Sequence, residues 1–168
     1  MSKIQVLILM GSDSDAAIMK NSADVLSELG VACEMTVASA HRSPARVQRL
    51  LAEAPAKGVQ VFIVGAGAAA HLAGMVAAHT TKPVIGVPID SSPLHGMDAL
   101  LSTVQMPPGV PVATVAVGKA GATNAGVLAA QILALADPAL AGRLDAYKAR
   151  LADKVEQAAA RLAEAEHK

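Results

Sequence analysis

Apolar residues in this chain form short continuous runs separated by segments in which they recur at helical spacing. The runs cover residues 4–10, 32–37, 59–64, 84–87 and 112–117. Each run has the length of a β-strand and is almost wholly apolar, as expected for strands that are buried on both faces of a parallel sheet. The sequence therefore predicts five buried strands.

The segments between these runs carry helix signals. Residues 18–29 have apolar positions at helical spacing, and Gly30 follows them as a C-terminal cap. Pro44 suits the first position of the second helix, with Ser43 as its N-cap, and Pro55 is expected to end or kink that helix. Further helices are predicted at 72–78, 97–104 and 120–136, and Asp137 and Pro138 open a last one.

Strand and helix alternate throughout, which predicts a doubly wound α/β fold with one parallel sheet covered on both faces. We expect a single catalytic domain over residues 1–168. The C-terminal helix, 139–168, carries many charges and an apolar stripe, and it should pack on its own sheet or on a neighbouring subunit. The stripe consists of Leu140, Leu144, Tyr147, Leu151, Val155 and Leu162.

Composition narrows the range of partners. The formal net charge is zero and no Lys/Arg cluster is visible, so nucleic acid is not an expected ligand. Apolar residues make up 53% of the chain, with few aromatics and many small residues. Small residues suit surfaces that are buried between subunits, so a homo-oligomer is expected.

Membrane insertion and secretion are not expected. The apolar stretch 59–78 is interrupted by Gly65, Gly67, His71 and Gly74, and a strand, a glycine loop and a helix explain it better than a membrane span. No signal peptide precedes the first strand, and Cys33 is the only cysteine. A cytoplasmic location is favoured.

The loop after the first strand, 11–15, is Gly-Ser-Asp-Ser-Asp. It opens a helix, so free backbone N–H groups and the helix dipole favour a bound anion there. Ser12 offers a hydroxyl donor, and Asp15 could accept from ribose hydroxyls. Plain helix capping is an equally good interpretation of these residues. The glycine spacing does not match the dinucleotide-binding fingerprint.

The loop after the second strand, 38–44, contains His41 and Arg42 side by side. An arginine fork suits a phosphate, with Ser39 to assist it. Histidine is the side chain best suited to proton transfer near neutral pH. The alternative is a surface loop that carries an ordinary histidine.

The loop after the third strand, 65–74, is rich in glycine and alanine and contains His71. Its glycines permit a close backbone approach to a flat ligand. His71 could contact such a ligand or cap the following helix, and taken alone the capping role is favoured. The polar stretches 89–96 and 105–111 could close a pocket or be plain connections. No set of His, Cys or carboxylates has metal-ligand spacing, so no metal site is expected.

Several motifs in one order resemble a known family, the N5-carboxyaminoimidazole ribonucleotide mutases. They are Met-Gly-Ser-Asp-Ser-Asp at 10–15, Ser-Ala-His-Arg at 39–42, the glycine loop through 75, Val-Gln-Met-Pro at 104–107 and Gly-Lys-Ala-Gly at 118–121. The resemblance implies a flavodoxin-like three-layer sandwich with a central parallel sheet and a C-terminal helix. It also implies an octamer and, without cofactor or metal, the conversion of the N5-carbamate of a ribonucleotide into its C4 carboxylate.

The resemblance also implies roles for individual residues. His41 matches the catalytic histidine, which gives a proton to the nitrogen side and takes one from C4. This sequence has Ala68 where the family usually has a glycine and Ala73 where it usually has a proline, which affects the loop shape more than the chemistry. The implied contacts of the small-molecule ribonucleotide substrate are Gly11, Ser12, Asp15, Ser39, Ala40, Arg42, Gly67, Ala68, His71 and Leu72.

Two alternatives stay open at this point. One is the sister carboxylase, which makes the same product from aminoimidazole ribonucleotide and free carbon dioxide. In that branch a lysine follows the catalytic histidine, so Arg42 and the 65–71 loop favour the mutase. The other is a non-catalytic module on the same fold that binds a phosphate ligand.

Overall fold

The structure, a computed structural model, describes residues 3–166. Five strands alternate with five helices and a sixth helix follows the fifth, with a single 3₁₀ turn at Asp13–Asp15 before the first helix. The strands are β1 (Val6–Met10), β2 (Cys33–Val37), β3 (Val61–Gly67), β4 (Val84–Ile89) and β5 (Ala113–Thr114). The helices are α1 (Ala16–Glu28), α2 (Pro44–Lys57), α3 (Leu72–Ala78), α4 (Met97–Val104), α5 (Gly118–Ala134) and α6 (Pro138–Glu166).

The five strands form one sheet in the order β2-β1-β3-β4-β5, and every neighbouring pair is parallel. This confirms the predicted doubly wound α/β fold. Strand β1 pairs in register with both neighbours, so Met10 lies opposite Val37 on one side and Gly65 on the other. The carboxyl ends of β1, β2 and β3 therefore lie at one edge of the sheet.

Alternate residues of β1 enter two separate cores. Val6, Ile8 and Met10 pack with α1, α5 and the start of α6 on one face. Leu7 and Leu9 pack with α2, α3 and Ala99 of α4 on the other. Because every second side chain points to the opposite face, an almost continuous apolar run is what a strand between two helical layers requires.

Two strands end later than predicted. Strand β3 continues through the glycines to Gly67, and β4 continues through Pro88 to Ile89, where it stays paired with Gly67. In a parallel sheet, the backbone N–H and C=O groups of successive residues point alternately to the two neighbouring strands. The Gly86 carbonyl accepts from Val115 on the β5 side, so Pro88 faces that same side, beyond the last pair with β5. Its missing N–H therefore removes no sheet hydrogen bond.

Two other boundaries differ from expectation. Strand β5 is only Ala113–Thr114 rather than 112–117, because it pairs with just two residues of β4. Helix α2 does not end at Pro55. It runs to Lys57 and stops at Gly58, whose φ of 89° lies in the left-handed region and whose N–H bonds back to the last turn.

Within residues 3–166, the C-terminal helix contacts the rest of the chain along its first half, as far as an ion pair between Arg150 and Glu28 of α1. Leu140 is buried against the core formed with α1 and α5, and the Arg143 Nε donates to the Leu29 carbonyl at 2.7 Å. Farther along, Leu151, Val155 and Leu162 are 45%, 66% and 68% exposed. The apolar stripe is thus covered within the chain only at its start. Among residues 3–166, no helix has the length and apolar character needed to cross a membrane.

Helices α1 and α5 pack at very close range because both present small groups at the contact. The Ser22 hydroxyl on α1 donates to the Ala122 carbonyl on α5 at 2.6 Å. A Cβ added to Gly126 would lie 2.2 Å from the Val25 Cγ1 and 2.8 Å from the Ser22 carbonyl oxygen. The Ser22 carbonyl oxygen belongs to the backbone of α1 and has little freedom to move away.

We predict that Gly126→Ala destabilises the protein by about 1–3 kcal/mol through overpacking. Helix propensity alone predicts the opposite sign, a gain of about 1 kcal/mol. Gly142→Ala on α6 is the matched control, since an added Cβ there meets nothing within 4 Å. Denaturant unfolding at one fixed protein concentration measures both variants. Equal stabilisation of the two would contradict the close α1–α5 contact.

Candidate active site

Loops from the carboxyl ends of β1, β2, β3 and β4 surround one cleft of about 170 Å³. This edge, where β1 and β3 are neighbours in a sheet of this order, is where doubly wound folds bind ligands. The cleft is lined by Gly11, Ser12, Ser14, Asp15, Ser39, Ala40, His41, Arg42, Ala66, Gly67, Ala69, His71, Leu72 and Ser91.

The loop after β1 both caps a helix and forms one wall of the cleft. The Ser12 hydroxyl accepts from the Ser14 backbone N–H at 3.3 Å, and the two serine hydroxyls are 2.9 Å apart. The sequence left capping and ligand binding as alternatives for these residues. The structure is compatible with both, because Ser12 makes a capping bond and also lines the cleft. Serine hydroxyls at the start of a helix are suitable donors to an anion.

Asp15 is the one buried carboxylate of the cleft, with only 5% of its surface exposed. Burial raises its pKa above the ordinary value of 3.8, and the nearby charge of Asp13 raises it further. Hydrogen bonds from the Ser12 backbone and the Ser14 hydroxyl, together with the charge of Arg42, act in the opposite direction. Burial dominates because the charged form loses its water.

The loop after β2 is held by its own serines. The Ser39 hydroxyl accepts from the Arg42 N–H at 3.1 Å. Ser43 is at the N-cap position of α2 as predicted, but its hydroxyl makes no cap bond and instead accepts from the Ser39 N–H at 3.1 Å. The Arg42 guanidinium reaches across to donate to the Gly11 carbonyl at 3.0 Å. Arg42 therefore joins the first two loops at the cleft.

His41 and His71 come from different loops and meet at the cleft. His41 Nε2 lies 2.8 Å from His71 Nδ1, and the ring centroids are 4.9 Å apart with an angle of 83° between the ring planes. One ring donates an N–H to the other, and the tautomers of the two rings decide which one is the donor. The side chain of His71 makes no capping hydrogen bond, so the capping role favoured from sequence is wrong.

The loop after β3 allows the loop after β4 to approach closely. A Cβ on Gly67 would lie 1.8 Å from the Ser91 hydroxyl, so any larger residue would force the Ser91 side chain to move. Ser91 was not among the residues selected from sequence, although the polar stretch 89–96 after the fourth strand was noted as able to close a pocket. The stretch 105–111 contributes nothing to the lining of this cleft.

Every residue selected from sequence lines the cleft except Ala68. At Ala68 the backbone has a φ of 50°, in the left-handed region that favours glycine. The cleft wall here is formed by its neighbours Gly67 and Ala69, so the lining does not support a ligand contact by Ala68. Residues 3–166 contain no group of three or more His, Cys, Asp or Glu that could hold a metal ion.

The sheet and the polar cleft at its switch point define a doubly wound α/β enzyme that is built around a small ligand. A family model described as AIR carboxylase matches residues 5–154. The chain belongs to this family.

Named relatives match across most of the chain. The N5-carboxyaminoimidazole ribonucleotide mutase of Bacillus subtilis is 58% identical over 138 residues, which is 82% of this chain and 85% of the relative. The mutase of the same name from Thermotoga maritima is 51% identical over 158 residues, 94% of this chain and 91% of the relative. The crystal structure of Treponema denticola PurE has a TM-score of 0.84 at 30% identity and covers 94% of this chain and 98% of that one.

We predict a pH-dependent effect of Asp15→Asn on stability. Because burial raises the pKa of Asp15 in the fold, the stability this group contributes is fully present below 3.8 and is lost as pH rises through the raised value. Asparagine has a similar shape and does not titrate. The free energy of unfolding of the variant, relative to the unmodified protein, should therefore increase from acid to neutral pH.

Denaturant unfolding across the acid-to-neutral range measures this difference. If the free energy of unfolding of the variant minus that of the unmodified protein stays constant with pH, or increases toward acid, the raised pKa of Asp15 is contradicted.

Proposed function

We propose that this protein is an isomerase of purine biosynthesis that converts N5-carboxyaminoimidazole ribonucleotide into 4-carboxy-5-aminoimidazole ribonucleotide. The observation that carries the proposal is the likeness to proteins of this name, at 58% and 51% identity, over most of the chain. The cleft supports it, because it offers an anion site, a buried carboxylate and paired histidines.

The substrate would be held by groups from three loops. Its phosphate suits the hydroxyls of Ser12 and Ser39 and the guanidinium of Arg42, which bind oxyanions through charge-assisted hydrogen bonds. Its ribose hydroxyls suit the Asp15 carboxylate. The flat imidazole ring would lie against a wall of small and apolar residues. That wall and the floor beside it consist of Gly11, Ala40, Gly67, Ala69 and Leu72.

The reaction then needs one proton carrier. In the proposed first step the N–C bond of the carbamate breaks, carbon dioxide is released, and His41 donates a proton to the nitrogen. In the second step C4 attacks the carbon dioxide, and His41 takes back the proton that C4 loses. The protons balance over the cycle, so the histidine returns to its starting state without a cofactor.

His71 would act on this step through His41. The hydrogen bond of 2.8 Å between the two rings keeps the His41 imidazole in one orientation. A proton carrier must lie within hydrogen-bond reach of both reacting atoms in turn, so a fixed ring orientation favours both transfers.

The carboxylase that uses free carbon dioxide is the nearest alternative. The family description names such an activity, but the relatives at about half identity are named as mutases. Arg42 directly after His41 also favours the mutase. The two reactions differ in an observable way, because a mutase turns over the N5-carbamate without added bicarbonate and a carboxylase does not use it.

We predict that His41→Asn abolishes turnover of the N5-carbamate while the ribonucleotide still binds. Asparagine keeps the polarity and approximate size but cannot carry a proton, and loss of such a group slows a reaction by about 10²–10⁴-fold. His79→Asn is the control, since His79 is bonded to the Met75 carbonyl and does not line the cleft.

A coupled assay for the product and calorimetric titration measure turnover and binding. Near-normal turnover by the His41 variant would assign the proton transfer to another residue. No turnover by the unmodified protein with the N5-carbamate, nor with aminoimidazole ribonucleotide and bicarbonate, while ligand still binds, would favour the non-catalytic binding module.

We also propose that residues 1–168 form one catalytic domain that assembles into a cytoplasmic octamer. Large apolar side chains on and just before α4 support burial between copies. Leu94, Met97 and Leu101 are 63%, 56% and 53% exposed. The outer half of the α6 stripe is a second apolar surface, which the other residues of 3–166 leave exposed.

Light scattering after size exclusion should give a mass larger than that of a dimer. The exposed apolar surfaces of α4 and α6 are the physical reason, since isolated chains rarely leave such patches in contact with water. A single-chain mass at micromolar concentration would contradict the assembly.

A further inference from the structure

Ser102 on α4 contacts the loop that joins β3 to α3 and does not line the cleft. Its hydroxyl oxygen accepts from the Ala70 backbone N–H at 3.0 Å. The same hydroxyl is 2.7 Å from the Asp98 carbonyl of its own helix, the nearest acceptor for its single proton, and 3.4 Å from the Ala68 carbonyl. One side chain thus contacts the loop on both sides of Ala69, which lines the cleft.

The loop depends on this contact more than an ordinary surface turn would. Ala70 is only 1% exposed, and the Ser102 hydroxyl is the side-chain acceptor of its N–H, so removing that hydroxyl leaves the N–H without this partner. Ala68 is held at a φ of 50°, which an alanine adopts only when its surroundings impose it. The hydroxyl therefore satisfies a buried donor next to a strained residue.

The position of Ala70 is transmitted to the histidine pair. His71 follows it directly, and the His71 N–H bonds to the Ala69 carbonyl at 2.8 Å. The His71 ring in turn lies 2.8 Å from the ring of His41. A shift of the loop by about 1 Å would be enough to break a hydrogen bond of this length.

We propose that Ser102 is a positioning residue, which holds the 68–70 loop so that His71 can orient His41 for proton transfer. This inference rests on the proposed function, in which His41 carries the proton. Ser102 does not line the cleft. It acts only through the loop.

The experiment compares Ser102→Ala with Thr103→Val. Thr103 is the matched control, because its hydroxyl also bonds back to its own helix, to the Ala99 carbonyl at 2.7 Å, and it is buried. It faces Gly86 of β4 rather than the loop. Ser102→Cys replaces the alanine variant if that variant does not fold, since a thiol is only a weak donor and acceptor.

We expect Ser102→Ala to lower kcat by about 10- to 100-fold, as a misplacement near 1 Å can do. KM should change by less than kcat, because the phosphate and ribose contacts lie on the other loops and the displaced loop contributes only the Ala69 contact to the ring. Thr103→Val should keep kcat within about twofold even where it lowers the melting temperature. An unchanged kcat in Ser102→Ala, or equal losses in both variants, would overturn the proposal.

Crystal structures of the unmodified protein and Ser102→Ala give a readout that does not require turnover. The variant should show the 68–70 loop displaced and the two rings beyond hydrogen-bond distance, whereas Thr103→Val should retain the pair. An intact histidine pair in Ser102→Ala would overturn the proposal even if activity falls. Absence of turnover in the unmodified protein would instead reject the proposed function and leave this structural comparison valid.

Discussion

Strand β1 is hydrogen-bonded to β2 on one side and to β3 on the other, and helices cover both of its faces. The chain must therefore pass from β2 across β1 to reach β3. Loops that leave the ends of these strands turn in different directions, which opens a crevice at the carboxyl edge. The order of the strands, rather than any one side chain, determines that Gly11, Ser39 and Gly67 line the same cleft.

This constraint explains why residues distant in sequence form the site. His41 and His71 are 30 positions apart but come within 2.8 Å because their strands end at the same edge. Small residues make the close approach possible, as at Gly67 beside Ser91. The buried Asp15 carboxylate lowers the stability of the fold when it is charged, since burial disfavours its charged form.

The sequence was sufficient for the parts that depend on local pattern. Apolar runs predicted all five strands, and loops after strands predicted most of the cleft, because the carboxyl ends of parallel strands share one edge. The sequence was insufficient where contacts between residues distant in the chain determine the end of a strand or the packing of a loop. Pro88 remains in β4 because β5 has already ended beside it. The contact between His41 and His71, and the approach of Ser91, depend on how loops pack in space. The spacing of apolar residues along the chain does not predict how loops pack against one another.

In the proposed function, one cleft both releases and recaptures the carboxyl group. The most direct test supplies the N5-carbamate labelled with ¹³C in its carboxyl carbon, in an excess of unlabelled bicarbonate. If the cleft retains carbon dioxide beside C4, recapture is faster than escape, and the C4 carboxylate of the product should keep most of the label. A product that carries carbon from the unlabelled pool, or turnover only when bicarbonate is added, would contradict the account.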